Sequence, residues 1–98
     1  MILRIVKMTF QSDKLAAFHA LFDQHKNKIR HSPGCHRLEL HADAKADNVR
    51  YTYSYWEDEA SLNAYRYSDL FGEVWPKTKQ LFADRPEAFS LQFLERID

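Results

Sequence analysis

The hydrophobic period of this chain changes from segment to segment, and that succession constrains the fold more than any single residue does. Met1 to Phe10 is short and dense in Ile, Leu, Val, Met and Phe, which predicts a buried strand. Leu15, Phe18, Phe22, His25 and Ile29 then recur at steps of three and four, which places them on one helical face. Ser12 or Asp13 is suited to cap the start of that helix, and Pro33-Gly34 stops it near Ser32. From Cys35 the period becomes two. Leu38, Leu40 and Ala42 alternate with Arg37, Glu39 and His41, the pattern of a half-buried strand. The polar stretch Asp43 to Asn48 leads into a third strand, Val49 to Trp56, rich in Tyr and Thr, and the short join predicts an antiparallel hairpin.

Asp58 begins a second helical region with Leu62 and Tyr65 on one face. Ser68-Asp69 offers a further cap, and Leu70, Phe71, Val74, Trp75, Thr78, Leu81 and Phe82 continue at helical spacing. Pro76 falls inside that stripe, which predicts a kink or a new helix starting there. Beyond Arg85-Pro86, residues Ala88 to Ile97 alternate Phe89, Leu91 and Phe93 with Ser90 and Gln92, a fourth strand. The order β-α-β-β-α-β is the split βαβ plan of ferredoxin-like α+β folds, a four-stranded antiparallel sheet with its helices on one face. No linker or repeat interrupts it, so residues 1–98 read as one domain.

The strands are bulky on both faces, with Leu3 and Ile5 opposite Ile2 and Val6, and Tyr53 opposite Thr52 and Trp56. Two helical regions cover only one side of a sheet, so the other side predicts a second copy of the chain, a homodimer. Fourteen Lys and Arg balance fourteen Asp and Glu, without the basic excess of a nucleic-acid binder. No apolar run approaches the roughly 20 residues that cross a bilayer, and the N-terminal residues lack the long apolar stretch of a signal peptide. A single cysteine, Cys35, allows no internal disulfide and suits a reducing cytoplasm.

With that topology in place, Tyr55-Trp56-Glu57-Asp58-Glu59-Ala60-Ser61-Leu62-Asn63-Ala64-Tyr65, followed by Ser68-Asp69-Leu70-Phe71, resembles the signature of the antibiotic biosynthesis monooxygenase family. Ser32-Pro33-Gly34-Cys35 resembles the family's turn before its second strand. The resemblance implies a dimeric α+β barrel with a pocket between helices and sheet in each protomer. It implies either oxidation of phenols or quinols by O2 without metal or flavin, or, in another branch, haem degradation. The haem-degrading branch uses a strand-one Asn, a helical Trp and an iron-ligating His. Val6, Tyr65 and Trp75 stand at those positions here, and the His that many members carry at the position of Tyr65 is also absent.

Cofactor-free oxygenation asks for a water-poor pocket, aromatic walls, a base or acceptor, and donors for the developing anion. Tyr65 and Trp75 supply walls, with Phe22 and Tyr53 beside them, His25 is a possible base, and Arg4 a possible donor. Each has a plainer reading. Aromatics at helical spacing fill cores, a buried neutral His can be satisfied by backbone, Arg4 can pair with a carboxylate at a dimer contact, and strand tyrosines pack across strands. None of His19, His25, His31, His36 and His41 has metal-ligand spacing, Cys35 and His36 diverge as strand neighbours, and Gly34 and Gly72 form no phosphate loop. No cofactor is therefore expected. Three functions stay open: a cofactor-independent monooxygenase acting on a small aromatic or quinol substrate, a non-catalytic module binding a small apolar ligand, and a haem-binding or haem-degrading protein. The site is expected between the second helical region and the sheet, with Phe22 and His25 approaching from the first helix.

Overall fold

A computed structural model describes residues 1–98. Strand β1 (Ile2–Thr9) is followed by helix α1 (Leu15–Arg30), strands β2 (Cys35–Ala42) and β3 (Val49–Trp56), helices α2 (Glu59–Arg66) and α3 (Asp69–Lys79), and strand β4 (Glu87–Gln92). The strands form one antiparallel sheet in the order β2-β3-β1-β4, the ferredoxin-like α+β arrangement. β1 is central because its residues pair on both sides: Arg4 opposes Ser54 of β3 and Ser90 of β4.

Alternation along each strand sorts the side chains into two sets. Val6 and Met8 of β1 and Leu40 of β2 face the helices, where Met8, Phe10 and Phe18 are buried against Phe22, Trp75 and Phe82. A second buried group, Cys35, Trp56 and Leu62, packs against Ile2 and Tyr65. The opposite face carries Leu3 and Ile5, Tyr51, Tyr53 and Tyr55, and Phe89 and Leu91, with no helix over it. Phe89 and Leu91 are 50% and 48% exposed.

Three local expectations are corrected. Neither Ser12 nor Asp13 caps α1. Residues Ser12–Lys14 form a 3-10 turn, in which Lys14 N–H donates to the Gln11 carbonyl at 2.9 Å, and α1 begins after it with no side-chain cap. The second helical region breaks at Ser68 rather than at Pro76. Ser68 Oγ accepts from the Phe71 N–H at 3.2 Å and donates to the Tyr65 carbonyl at 2.6 Å, ending one helix and starting the next. Pro76 lies inside α3, tolerated because the Gly72 carbonyl it leaves without a donor belongs to an exposed turn. Lastly, β4 ends at Gln92 rather than Ile97, because Gln92 pairs with Ile2 and β1 has no earlier strand residue to pair with. Phe93, Leu94 and Ile97 are consequently exposed.

The hairpin, the Asp58 cap on α2 and the turn at Gly34 match their sequence signals. Asp58 accepts from the Ser61 N–H at 2.8 Å. Gly34 adopts φ +81°, a conformation that glycine takes without strain. No helix is long and apolar enough to cross a membrane.

Candidate active site

A cavity of about 190 Å³ lies between the three helices and the sheet. Its floor is built from the helix-facing residues of the strands, Arg4, Val6 and Met8 of β1, Thr52, Ser54 and Trp56 of β3, and Ala88 of β4. Small side chains opposite Arg4 keep that end open: Ser54 on one side, Ser90 on the other. Phe18, Leu21, Phe22 and Ile29 of α1 form one wall, and Leu62, Tyr65, Arg66, Phe71, Val74, Trp75 and Thr78 of α2 and α3 form the other.

The second wall holds a continuous run of aromatic rings. Trp56 and Tyr65 stack at 5.0 Å, Tyr65 and Phe71 meet edge to face at 5.3 Å, and Phe71 and Trp75 stack at 5.7 Å. Such offset and edge-on contacts suit ring quadrupoles, so the wall is an ordered surface. The break between the two helices at Ser68 makes this possible. It starts α3 afresh in a register that turns Phe71 and Trp75 to the cavity, in line with Tyr65. Trp56 is held at the floor by donating Nε1–H to Ser54 Oγ at 2.9 Å, both residues being buried.

Polar groups are few and strongly placed. Arg4 Nη1 donates to Ser90 Oγ at 2.9 Å. Burial lowers the Arg4 pKa, and the like charge of Arg66 lowers it further. The Tyr65 phenol is pushed up to about 12, chiefly by burial and also by the nearby Cys35 thiol, so it stays protonated and can donate a hydrogen bond. Burial likewise raises the Cys35 thiol, which therefore stays in its unreactive form.

Of the residues singled out in the sequence, Arg4, Phe22, Tyr65 and Trp75 come together around this cavity. His25 and Tyr53 do not. His25 is buried between α1 and α3 rather than at the cavity wall: Nδ1 donates to the Leu21 carbonyl at 3.0 Å, and Nε2 lies 3.6 Å from Glu73 Oε1. A helical face is wider than a cavity, and the i−4 carbonyl captures the ring before it can reach the cavity. Tyr53 is on the other side of the sheet, its ring 5.0 Å from that of His41, because an odd-numbered β3 residue points away from Thr52, Ser54 and Trp56. Arg66 and Phe71 were not legible as site residues. Phe71 carried the same stripe signal as core residues, and no motif or spacing marks Arg66.

No three or more His, Cys, Asp or Glu side chains are grouped so that they could hold a metal. Haem does not fit the cavity either: its lining offers neither imidazole nor thiolate, and ligation by Tyr65 would require ionising a phenol held near 12.

A sequence model of the antibiotic biosynthesis monooxygenases matches residues 1–75, which span β1 through most of α3. The chain belongs to the antibiotic biosynthesis monooxygenase family. Solved structures extend the likeness across the fold. A protein described as an antibiotic biosynthesis monooxygenase superposes with a TM-score of 0.90 at 17% identity, over 97% of this chain and 100% of that one. Rv0793 from Mycobacterium tuberculosis gives a TM-score of 0.89 at 18% identity, over 99% and 98% of the two chains. A conserved protein from Methanosarcina mazei Go1 gives 0.88 at 20% identity, over 94% and 92%. At such identities the likeness speaks for fold alone. No curated protein matches the sequence.

Proposed function

We propose that this family member is a cofactor-independent monooxygenase acting on a small phenol or quinol held in the cavity. One observation carries the reading: a run of stacked aromatic rings lines an apolar cavity whose charged wall residues are two arginines. The rings grip a flat substrate, and the guanidinium groups favour its ionised form. An ionised phenol can pass an electron to O2 directly. For a phenol the balance closes without an external reductant. One ring C–H becomes C=O, the O–O bond breaks, one oxygen stays in the quinone, and the other leaves as water with both hydrogens. Tyr65 donates a hydrogen bond to a substrate oxygen, and Phe22 and Trp75 close over the ring. His25 acts indirectly, by bracing α1 beside α3.

A non-catalytic binding module is the second reading. It is favoured by the chemistry of the wall, where the Tyr65 phenol is held at about 12 and no imidazole or carboxylate lines the cavity to take a proton. Oxygen uptake with a panel of hydroquinones and polyphenols separates the two, with Tyr65→Phe as control. Uptake that falls in the variant supports the monooxygenase. Ligand binding with no uptake for any substrate leaves the binding module.

The same proposal covers assembly and extent. A second copy covers the open sheet face, where Leu3, Ile5, Tyr53, Phe89 and Leu91 lie. Residues 1–98 act as one domain, because β4 completes the sheet by pairing with β1.

A further inference from the structure

We infer that the cavity's aromatic ligand is an anion, carrying a carboxylate at the end lined by Arg4 and Arg66. This rests on the proposed use of the cavity as a ligand site, and names the class of ligand. Both arginines belong to the lining, and neither has a carboxylate within salt-bridge distance, whereas Arg37 and Arg96 pair with Glu39 and Asp98 elsewhere in the molecule. An arginine has five N–H donors, and the side chain of Arg4 uses one on Ser90 Oγ.

The energetics point the same way. Burial and the neighbouring positive charge both disfavour the charged form of Arg4, and no acidic side chain offsets them. A half-buried cation facing a second cation costs stability unless an anion joins them. Arg66 alone has a simpler explanation, since a basic residue in the last turn of α2 complements the helix dipole. That explanation does not reach Arg4, which stands in the central strand between two serines, where an apolar residue would pack better. The cavity is smaller than the ~300–1,000 Å³ of sites for drug-sized ligands, so the ligand has one or two rings.

The two tryptophans of the chain, Trp56 and Trp75, both line the cavity, so intrinsic fluorescence reports on this site. The test titrates the protein with 2-naphthoate and with the isosteric, neutral 2-naphthamide. The naphthoate should bind about tenfold more tightly, as expected for charge-assisted pairing with arginine. Raising the salt concentration should shrink the difference, and Arg66→Gln and Arg4→Gln should each reduce it. Arg66 is exposed, so its variant keeps the test valid if Arg4→Gln does not fold. Equal affinity for acid and amide, or a preference undiminished in the Arg66 variant, overturns the inference. Failure of both probes to bind overturns it together with the cavity as a ligand site. A clear naphthoate preference without oxygen uptake from any phenol would sink the monooxygenase reading and leave this one standing.

Discussion

Trp56 at the end of β3 and Tyr65 in the last turn of α2 stack with their ring centroids 5.0 Å apart and their planes 26° from parallel. That contact joins the sheet to the second helix at a place where the buried core meets the cavity. Trp56 is 1% exposed and belongs to the core, whereas Tyr65 turns its other neighbours, Phe71 and then Trp75, toward the cavity.

Alkaline stability should therefore report on Tyr65. Its folded pKa, about 12, stands above the ordinary value of 10.0. Only the neutral phenol suits the fold, so its contribution is complete below about pH 10 and is lost as pH rises through about 12. Urea denaturation at increasing pH should show this loss in the natural protein and a flatter profile in Tyr65→Phe. Tyr65→Ala, which also removes the stacked ring, should cost roughly 3 kcal/mol at neutral pH.

The two glycines should respond in opposite directions. At Gly34, φ is +81° and an added Cβ would come within 2.4 Å of Ser61 Oγ and 2.5 Å of Ser61 Cβ. Gly34→Ala should cost well over 1 kcal/mol, about the conformational penalty alone, and pairing it with Ser61→Gly should recover only the steric part. Gly72 sits inside α3 with nothing within 4 Å of an added Cβ. Gly72→Ala should stabilise the protein by up to about 1 kcal/mol, since alanine is the better helix former. Thermal melting of the three variants checks both signs.

Acid should loosen the β2–β3 hairpin through Asp43. The backbone N–H groups of Ala46 and Lys45 and the hydroxyl of Tyr51 donate to its carboxylate and hold its pKa at about 2, below the ordinary 3.8. A lowered pKa means stability present above about pH 4 and lost as pH falls through about 2. Asp43→Asn should melt below the natural protein at neutral pH, and the two curves should converge near pH 2. Curves that stay equally far apart at both pH values would rule out this linkage.

Assembly is testable on the uncovered sheet face. The natural protein should sediment as a dimer at micromolar concentration. Leu91→Asp places a charge where Phe89 and Leu91 lie half exposed, and should yield a monomer that keeps its secondary structure. A natural protein that sediments as a monomer would sink the dimer.

Much of the fold was legible because burial on one side of a sheet or helix writes its period into the chain. Val49–Trp56 forms a strand over the span its β-forming Tyr and Thr residues predict, and Ser68 caps where a cap signal stands. The misplaced boundaries share a cause. Pro76 is a strong local signal, but the competing Ser68 side chain satisfies two backbone groups at once and moves the break there. Residues 93–97 carry a strand-like pattern, yet a strand needs a neighbour, and β1 begins only at Ile2, which already pairs with Gln92.

For the site, local pattern determined that Phe22, Tyr65 and Trp75 would turn inward, since amphipathic spacing depends only on residue order along a helix. Depth and company were decided by the tertiary structure. His25 lies on the same inward face as Phe22, but its ring is taken by the Leu21 carbonyl before reaching the cavity. Tyr53 has the chemistry of a pocket wall, and pleating alone sends it to the opposite side of the sheet from Trp56. Arg4 and Arg66 are far apart in the chain and unremarked as a pair in it. Only the packing of α2 against the sheet brings their charges to the same cavity, because electrostatic partnership is a matter of distance through space, which periodicity does not encode.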